Sequence, residues 1–151
     1  MIDPSVDEDT HEAIRLLYLS YRAFTDRADR LLDKRGLNRA HHRILYFVGR
    51  HRDGSVADLL EALAISKQAL NVPLRQLLGM GLVESRRAAS DGRVKMLRLS
   101  PAGARLERRL TAAQSELLNA VFESAGPDAE DGWREVMRLL SGALADPDAG
   151  R

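Results

Sequence analysis

The stretch Ser55–Leu99, SVADLLEALAISKQALNVPLRQLLGMGLVESRRAASDGRVKMLRL, decides the fold. Ser55-Val56-Ala57-Asp58 has the spacing of a capping box, with Asp58 standing in for the usual Glu. Leu59, Leu60 and Leu63 give the short helix that follows an apolar side. Ala64-Ile65 then leaves room only for a sharp turn. Ser66 carries an N-cap hydroxyl for a second helix. At about 100° per residue, Leu70, Pro73, Leu74 and Leu77 fall on one side of that helix. Gln68, Asn71 and Arg75 fall on the other, with Lys67 and Val72 at the margins. Gly79 and Gly81 offer the left-handed conformation that often ends a helix. Residues 82–87 and 93–99 alternate as strands do, and Ser90-Asp91-Gly92 between them is a turn signal.

Helix, tight turn, helix and hairpin, in that order, predict a winged helix-turn-helix whose second helix enters a DNA groove. The polar face suits that role. Gln and Asn pair in bidentate fashion with adenine, Lys and Arg with guanine or phosphate, and Val meets a thymine methyl. Taken alone, the same face is also that of any solvated amphipathic helix; the ordered neighbours favour DNA. Pro73 complicates the helix, because it cannot donate to the Ala69 carbonyl and crowds it, at about 3 kcal/mol in an ordinary helix. A kink is expected there, not a break, since the apolar pattern continues through Leu77 and Leu78.

Asp91-Gly92-Arg93, followed by Leu99-Ser100-Pro101-Ala102-Gly103, resembles the D-x-R and L-[TS]-x-x-G signatures of the MarR family of bacterial transcriptional regulators. The resemblance spans nearly the whole chain and implies a wing tip at which Arg93, oriented by Asp91, reaches a minor groove or its phosphates. It implies a single 1–151 unit that is mainly α with a small β-hairpin wing. A winged DNA-binding lobe at 37–99 joins a helical dimerisation lobe made of 12–35 with 101–145.

The chain has 151 residues, 44% apolar and 30% charged, as expected of one soluble domain with a real core. No apolar run approaches the roughly 18 residues of a membrane span. The acidic N-terminus lacks a signal-peptide core, so a cytoplasmic location is expected. The absence of cysteine excludes disulfides, thiol redox sensing and thiolate metal sites. A net charge of +1 hides segregation. Residues 1–13 carry five carboxylates and no Lys or Arg, whereas residues 66–98 carry seven cations against Glu84 and Asp91, a surplus of 5. A basic patch in a near-neutral protein is what a phosphate-binding surface requires. Within the patch and its helix, the candidate DNA-binding residues are Ser66, Lys67, Gln68, Asn71, Val72, Arg75, Arg86, Arg87, Arg93 and Lys95.

The flanks are helical. The first ten residues are expected to fray, and Glu12 to Arg35 show helical spacing through Ile14, Leu17, Tyr18, Tyr21, Phe24, Ala28, Leu31 and Leu32. Asn38 is a cap for a helix that ends near His51, and Arg52-Asp53-Gly54 is a turn. Pro101 suits the start of a long helix with a Leu106, Leu110, Ala113, Leu117, Val121, Phe122 stripe. Gly126-Pro127 ends it. A last helix runs from Asp128 to about Ala145 and is expected to turn Trp133, Val136, Met137, Leu140 and Leu144 inward. Such amphipathic helices do not stand alone, which predicts a homodimer in which they interdigitate, as the resemblance also implies; packing within one chain is the alternative.

The resemblance further implies a small aromatic effector held between the two lobes. Tyr18, Tyr21, Arg22, His41, His42 and Tyr46 offer aromatic walls and cations for it, although core aromatics and surface histidines would look the same. His41 and His42 point to different helix faces and do not make a metal site. No cofactor is implied, and no glycine-rich phosphate loop or nucleophile–base pair suggests an enzyme. Two readings remain: a repressor of a pseudo-palindromic operator on double-stranded DNA, and a winged-helix adaptor that binds protein. The adaptor predicts an apolar or acidic face where Lys67, Gln68, Asn71 and Arg75 stand.

Overall fold

Local capping chemistry sets where the helices begin. The computed structural model describes residues 5–90 and 92–145. Helix α1 (Glu8–Asp33) starts where the Asp7 carboxylate accepts from the Thr10 N–H at 2.7 Å. Those hydrogen bonds hold the Asp7 carboxyl below the usual carboxylate range. Glu8 and Asp9 then place negative charge in the first turn, where the helix dipole favours it. The expectation of a helix from Glu12 after ten frayed residues is thereby corrected for Glu8–His11, which are helical, while residues 1–4 lie outside the described residues.

Helix α2 (Arg39–Arg50) opens on Asn38, and a two-residue strand β1 (Gly54–Ser55) precedes α3 (Val56–Leu63). The Ser55–Asp58 capping box forms in both directions. Ser55 Oγ accepts from the Asp58 N–H at 3.0 Å, and the Asp58 carboxylate accepts from the Ser55 N–H at 2.9 Å. Ala64 ends α3 in the left-handed region (φ 52°), making the sharp turn into α4 (Lys67–Gly79). Helix α4 passes through Pro73 without a break. Gly79 is its last helical residue, so of the two glycines only Gly81 (φ +72°) is left-handed. The Gly81 and Leu82 N–H groups close back on the Leu78 and Leu77 carbonyls, a Schellman termination.

Strands β2 (Val83–Arg87) and β3 (Lys95–Leu99) form the wing. Asp91, expected to orient Arg93, lies outside the described residues. Strand β1 adds to the far side of β3, giving an antiparallel sheet of order β1-β3-β2. That strand lies partly in the Arg52–Gly54 turn, and two residues carry no periodicity by which to recognise it. It is held by the Asp53 N–H on the Leu97 carbonyl at 3.0 Å and by Arg98, whose guanidinium grips the Asp53 carboxylate at 2.9 and 2.5 Å.

Helices α5 (Pro101–Ala125) and α6 (Pro127–Gly142) close the chain, followed by one 3-10 turn (Ala143–Ala145). The junction from β3 into α5 gives the Leu99–Gly103 motif a physical reason. Ser100 Oγ accepts from the Gly103 N–H at 3.0 Å and donates to the Gly81 carbonyl at 2.6 Å. Gly103 presses so close to the neighbouring backbone that a Cβ there would lie 1.9 Å from the Leu82 carbonyl oxygen. Only glycine fits.

One core joins Ala28 and Leu32 of α1, Ile44 and Leu45 of α2, Leu70 and Leu77 of α4, Leu97 of β3, and Leu106 and Leu110 of α5. It includes only the near ends of α1 and α5. Their far ends leave Ile14, Leu17, Tyr18, Tyr21 and Val121 exposed. No residue of α6 is buried, so the expectation that Trp133, Val136, Met137, Leu140 and Leu144 turn inward is corrected for a single chain. Trp133 meets Phe122 at 5.2 Å and is still 40% exposed. Among the described residues, no helix is long and apolar enough to cross a membrane.

Candidate nucleic-acid interface

The capped start of α4 and the twist of the wing place two basic elements side by side. Ser66 Oγ accepts from the Ala69 N–H at 3.1 Å, which fixes the first turn. Leu70, Leu74 and Leu77 seat one side of the helix in the core, so Lys67, Asn71 and Arg75 must face out. Beside them the wing presents Arg93 and Lys95. Together these five line a groove of about 650 Å³ between α4 and the hairpin. Among the described residues lining it there is no Asp or Glu. A concave surface whose described lining carries Lys67, Arg75, Arg93 and Lys95 attracts a phosphate backbone.

The other expected residues divide. Gln68 and Val72 (63% exposed) stand further round α4, outside the groove. In the hairpin register Ser85 faces Leu97 and Arg87 faces Lys95, so Arg87 shares the groove side of the sheet. Arg86 pairs with Met96 and lies on the opposite side with Glu84 and Arg98. The sheet thus separates two adjacent arginines that the sequence grouped. Arg98 is neutralised by Asp53, a residue outside the 66–98 window, so the charge surplus of that window overstates the patch by one.

A second concavity of about 430 Å³ opens between α1, α2 and α5. Tyr21, His42 and Tyr46, three of the expected effector residues, line it with Arg43, Phe24 and Leu118. Tyr18 (72% exposed) and Arg22 do not line it. Arg43 donates to the Tyr21 hydroxyl at 3.0 Å, while Arg39 lies over the Tyr21 ring and is paired with Asp29 at 3.0 Å. Burial pushes the His42 imidazole below its ordinary pKa, partly offset by the charges of Glu107 and Asp29, with Arg43 adding to the depression.

His41, grouped with His42 in the sequence, faces the other way and is corrected here to a structural position. It is 4% exposed. Its Nδ1 accepts from the Asn38 N–H at 3.0 Å, completing a capping box for α2, and its Nε2 meets Gln76 Oε1 of α4 at 2.6 Å. Sequence spacing held no sign of this bond, because Gln76 lies 35 residues away. Among the described residues, no group of three His, Cys, Asp or Glu side chains is arranged to hold a metal ion.

A capped helix-turn-helix with a wing that shares its basic groove defines the class: a winged helix-turn-helix transcriptional regulator. The comparisons narrow it. Residues 35–94 match the MarR family profile. The HTH-type transcriptional regulator PetP of Rhodobacter capsulatus is 40% identical over 141 residues, 93% of this chain and 82% of that protein. The chain belongs to the MarR family of non-enzymatic DNA-binding regulators. Its fold is also that of Streptococcus pneumoniae FabT, solved in complex with DNA, at a TM-score of 0.79 and 15% identity, covering 92% of this chain and 99% of the other. The Staphylococcus aureus MarR structure in complex with salicylate and kanamycin gives a TM-score of 0.74 at 21% identity, covering 90% and 92%.

Proposed function

We propose that this regulator acts as a homodimer on a pseudo-palindromic operator, with each α4 in a major groove and each wing beside it at a minor groove. The observation that carries this is the shared groove in which Lys67, Asn71 and Arg75 of the helix meet Arg93 and Lys95 of the wing. A two-fold axis sets the two α4 helices about one helical turn of DNA apart, roughly 10 base pairs. Phosphate contacts supply most of the affinity and its salt dependence, and Asn71, Gln68 and Arg75 the base preference. Occupying a promoter blocks polymerase, so the output is repression. The apolar far ends of α1, α5 and α6 are the surface that a second copy covers.

The α1–α2–α5 cleft fits a small aromatic carboxylate: Tyr21 and Tyr46 as walls, Arg43 for the charge and the imidazole of His42 as a hydrogen-bonding group. The salicylate complex of the S. aureus relative supports that class. Such a ligand regulates only by preferring the lobe spacing that DNA rejects.

The test is selection of bound DNA from a random library, followed by salt titration of the winner. A two-fold pseudo-palindrome with a steep salt slope is expected. Lack of enrichment by the ligand-free protein overturns the operator reading and favours a protein-binding adaptor.

A further inference from the structure

We propose that His41 is a positioning residue for DNA readout: its hydrogen bond to Gln76 sets the rotation of α4 about its own axis. This rests on α4 being the helix that reads DNA.

The core anchors of α4 are apolar. Leu70, Leu74 and Leu77 seat one face of the helix in the close-packed core and set its rotation to within the play that packing allows. A hydrogen bond adds direction within that play. Gln76 follows Arg75 immediately, about 100° round the helix from it. It therefore stands beside the outward face and reaches back to α2.

The bond is pinned at its other end. Because Nδ1 of His41 accepts from the Asn38 N–H, the ring proton sits on Nε2, which donates to Gln76 Oε1. Ile44, Leu45 and Val48 bury the rest of α2 in the core. The imidazole is thus a strut with one end on the α2 cap and the other on α4. With side chains extending about 5–6 Å from the axis, a 10° rotation of α4 moves their tips by roughly 1 Å. That is enough to spoil a bidentate base contact, whereas a flexible Lys side chain can follow a phosphate over that distance. The strut therefore acts on specificity more than on affinity.

The experiment measures affinity for the selected operator and for random DNA of the same length, with thermal unfolding of each protein alongside. His41→Asn keeps an acceptor for the Asn38 N–H and removes the donor to Gln76. Gln76→Leu removes the acceptor and leaves the α2 cap untouched, so it serves if His41→Asn fails to fold. Each should lower the operator-to-random ratio about tenfold, the worth of one directed hydrogen bond. Affinity for random DNA and the salt slope should stay at the wild-type values. The double variant should lose no more than either single one. Gln76→Glu, which still accepts from Nε2, should restore most of the ratio. The proposal is overturned if both kinds of DNA weaken equally, or if unfolding shifts while the ratio holds. A wild-type protein with no sequence preference sinks the operator reading together with this one; a preference that the variants share sinks this one alone.

Discussion

Leu110 and Val121 lie on one stripe of α5, yet Leu110 is fully buried and Val121 is 51% exposed. The same division runs through α1, where Ala28 and Leu32 are buried and Ile14 and Tyr18 are bare. Where α1 and α5 meet the winged unit, their apolar stripes close a core within one chain. Beyond it, equally good stripes have nothing in the chain to cover them. Amphipathic spacing says that a face will be covered and is silent about what covers it. The winged lobe thus closes its core with the near ends of α1 and α5, and the far ends of those helices are left exposed in the single chain.

Breaking the winged lobe should have the largest effect. Gly103→Ala pushes a methyl group into the Leu82 carbonyl, and we expect chemical denaturation to show a loss of about 3 kcal/mol or more. A stable variant would mean that the α5 junction yields.

The bare ends should respond in association. Trp133→Ala removes an exposed aromatic anchor and should weaken dimerisation by about 2–4 kcal/mol, read as a concentration-dependent shift in sedimentation. Little change in dimerisation would place the partner surface elsewhere.

Within the groove the contrast sharpens to helix against wing. Asn71→Ala should cost about 1–3 kcal/mol at particular base pairs, seen as altered preference across a randomised site library. Arg93→Ala should weaken all sequences alike and reduce the salt slope by about 1, because the wing meets backbone or groove shape. Interchanged outcomes would reverse the roles of the two elements.

The smallest effect concerns the cleft. Burial lowers the His42 pKa in the folded chain, so below about pH 6.5 the unfolded chain takes up that proton first. Stability therefore falls as pH drops through that value toward the lower folded pKa. His42→Gln should flatten that limb in a series of unfolding curves, and an unchanged slope would show that His42 has ready access to water.

Much of this was legible locally. The Ser55–Asp58 box, the Ser66 cap, the Gly81 termination and the hairpin alternation are decided by residues within a few positions of one another, and backbone hydrogen bonding responds to such neighbours. First-turn carboxylates and solvated coil share a composition, so Asp7 to Asp9 do not by themselves announce the start of α1. Asp53 with Arg98 and His41 with Gln76 were out of reach, since each pair joins residues tens of positions apart.

The sequence by itself determined the order of the helices and the hairpin, the caps at Asn38, Ser55 and Ser66, the family signature at Asp91–Gly103 and the polar face of α4, all consequences of short-range sterics and periodicity. Tertiary structure alone decided which cations share the groove, that Arg86 and Arg87 part across the sheet, that His41 turns from the cleft to brace α4, and which half of each long helix is covered. Those outcomes depend on which surfaces meet, and distances between remote residues exist only once the chain has closed on its core.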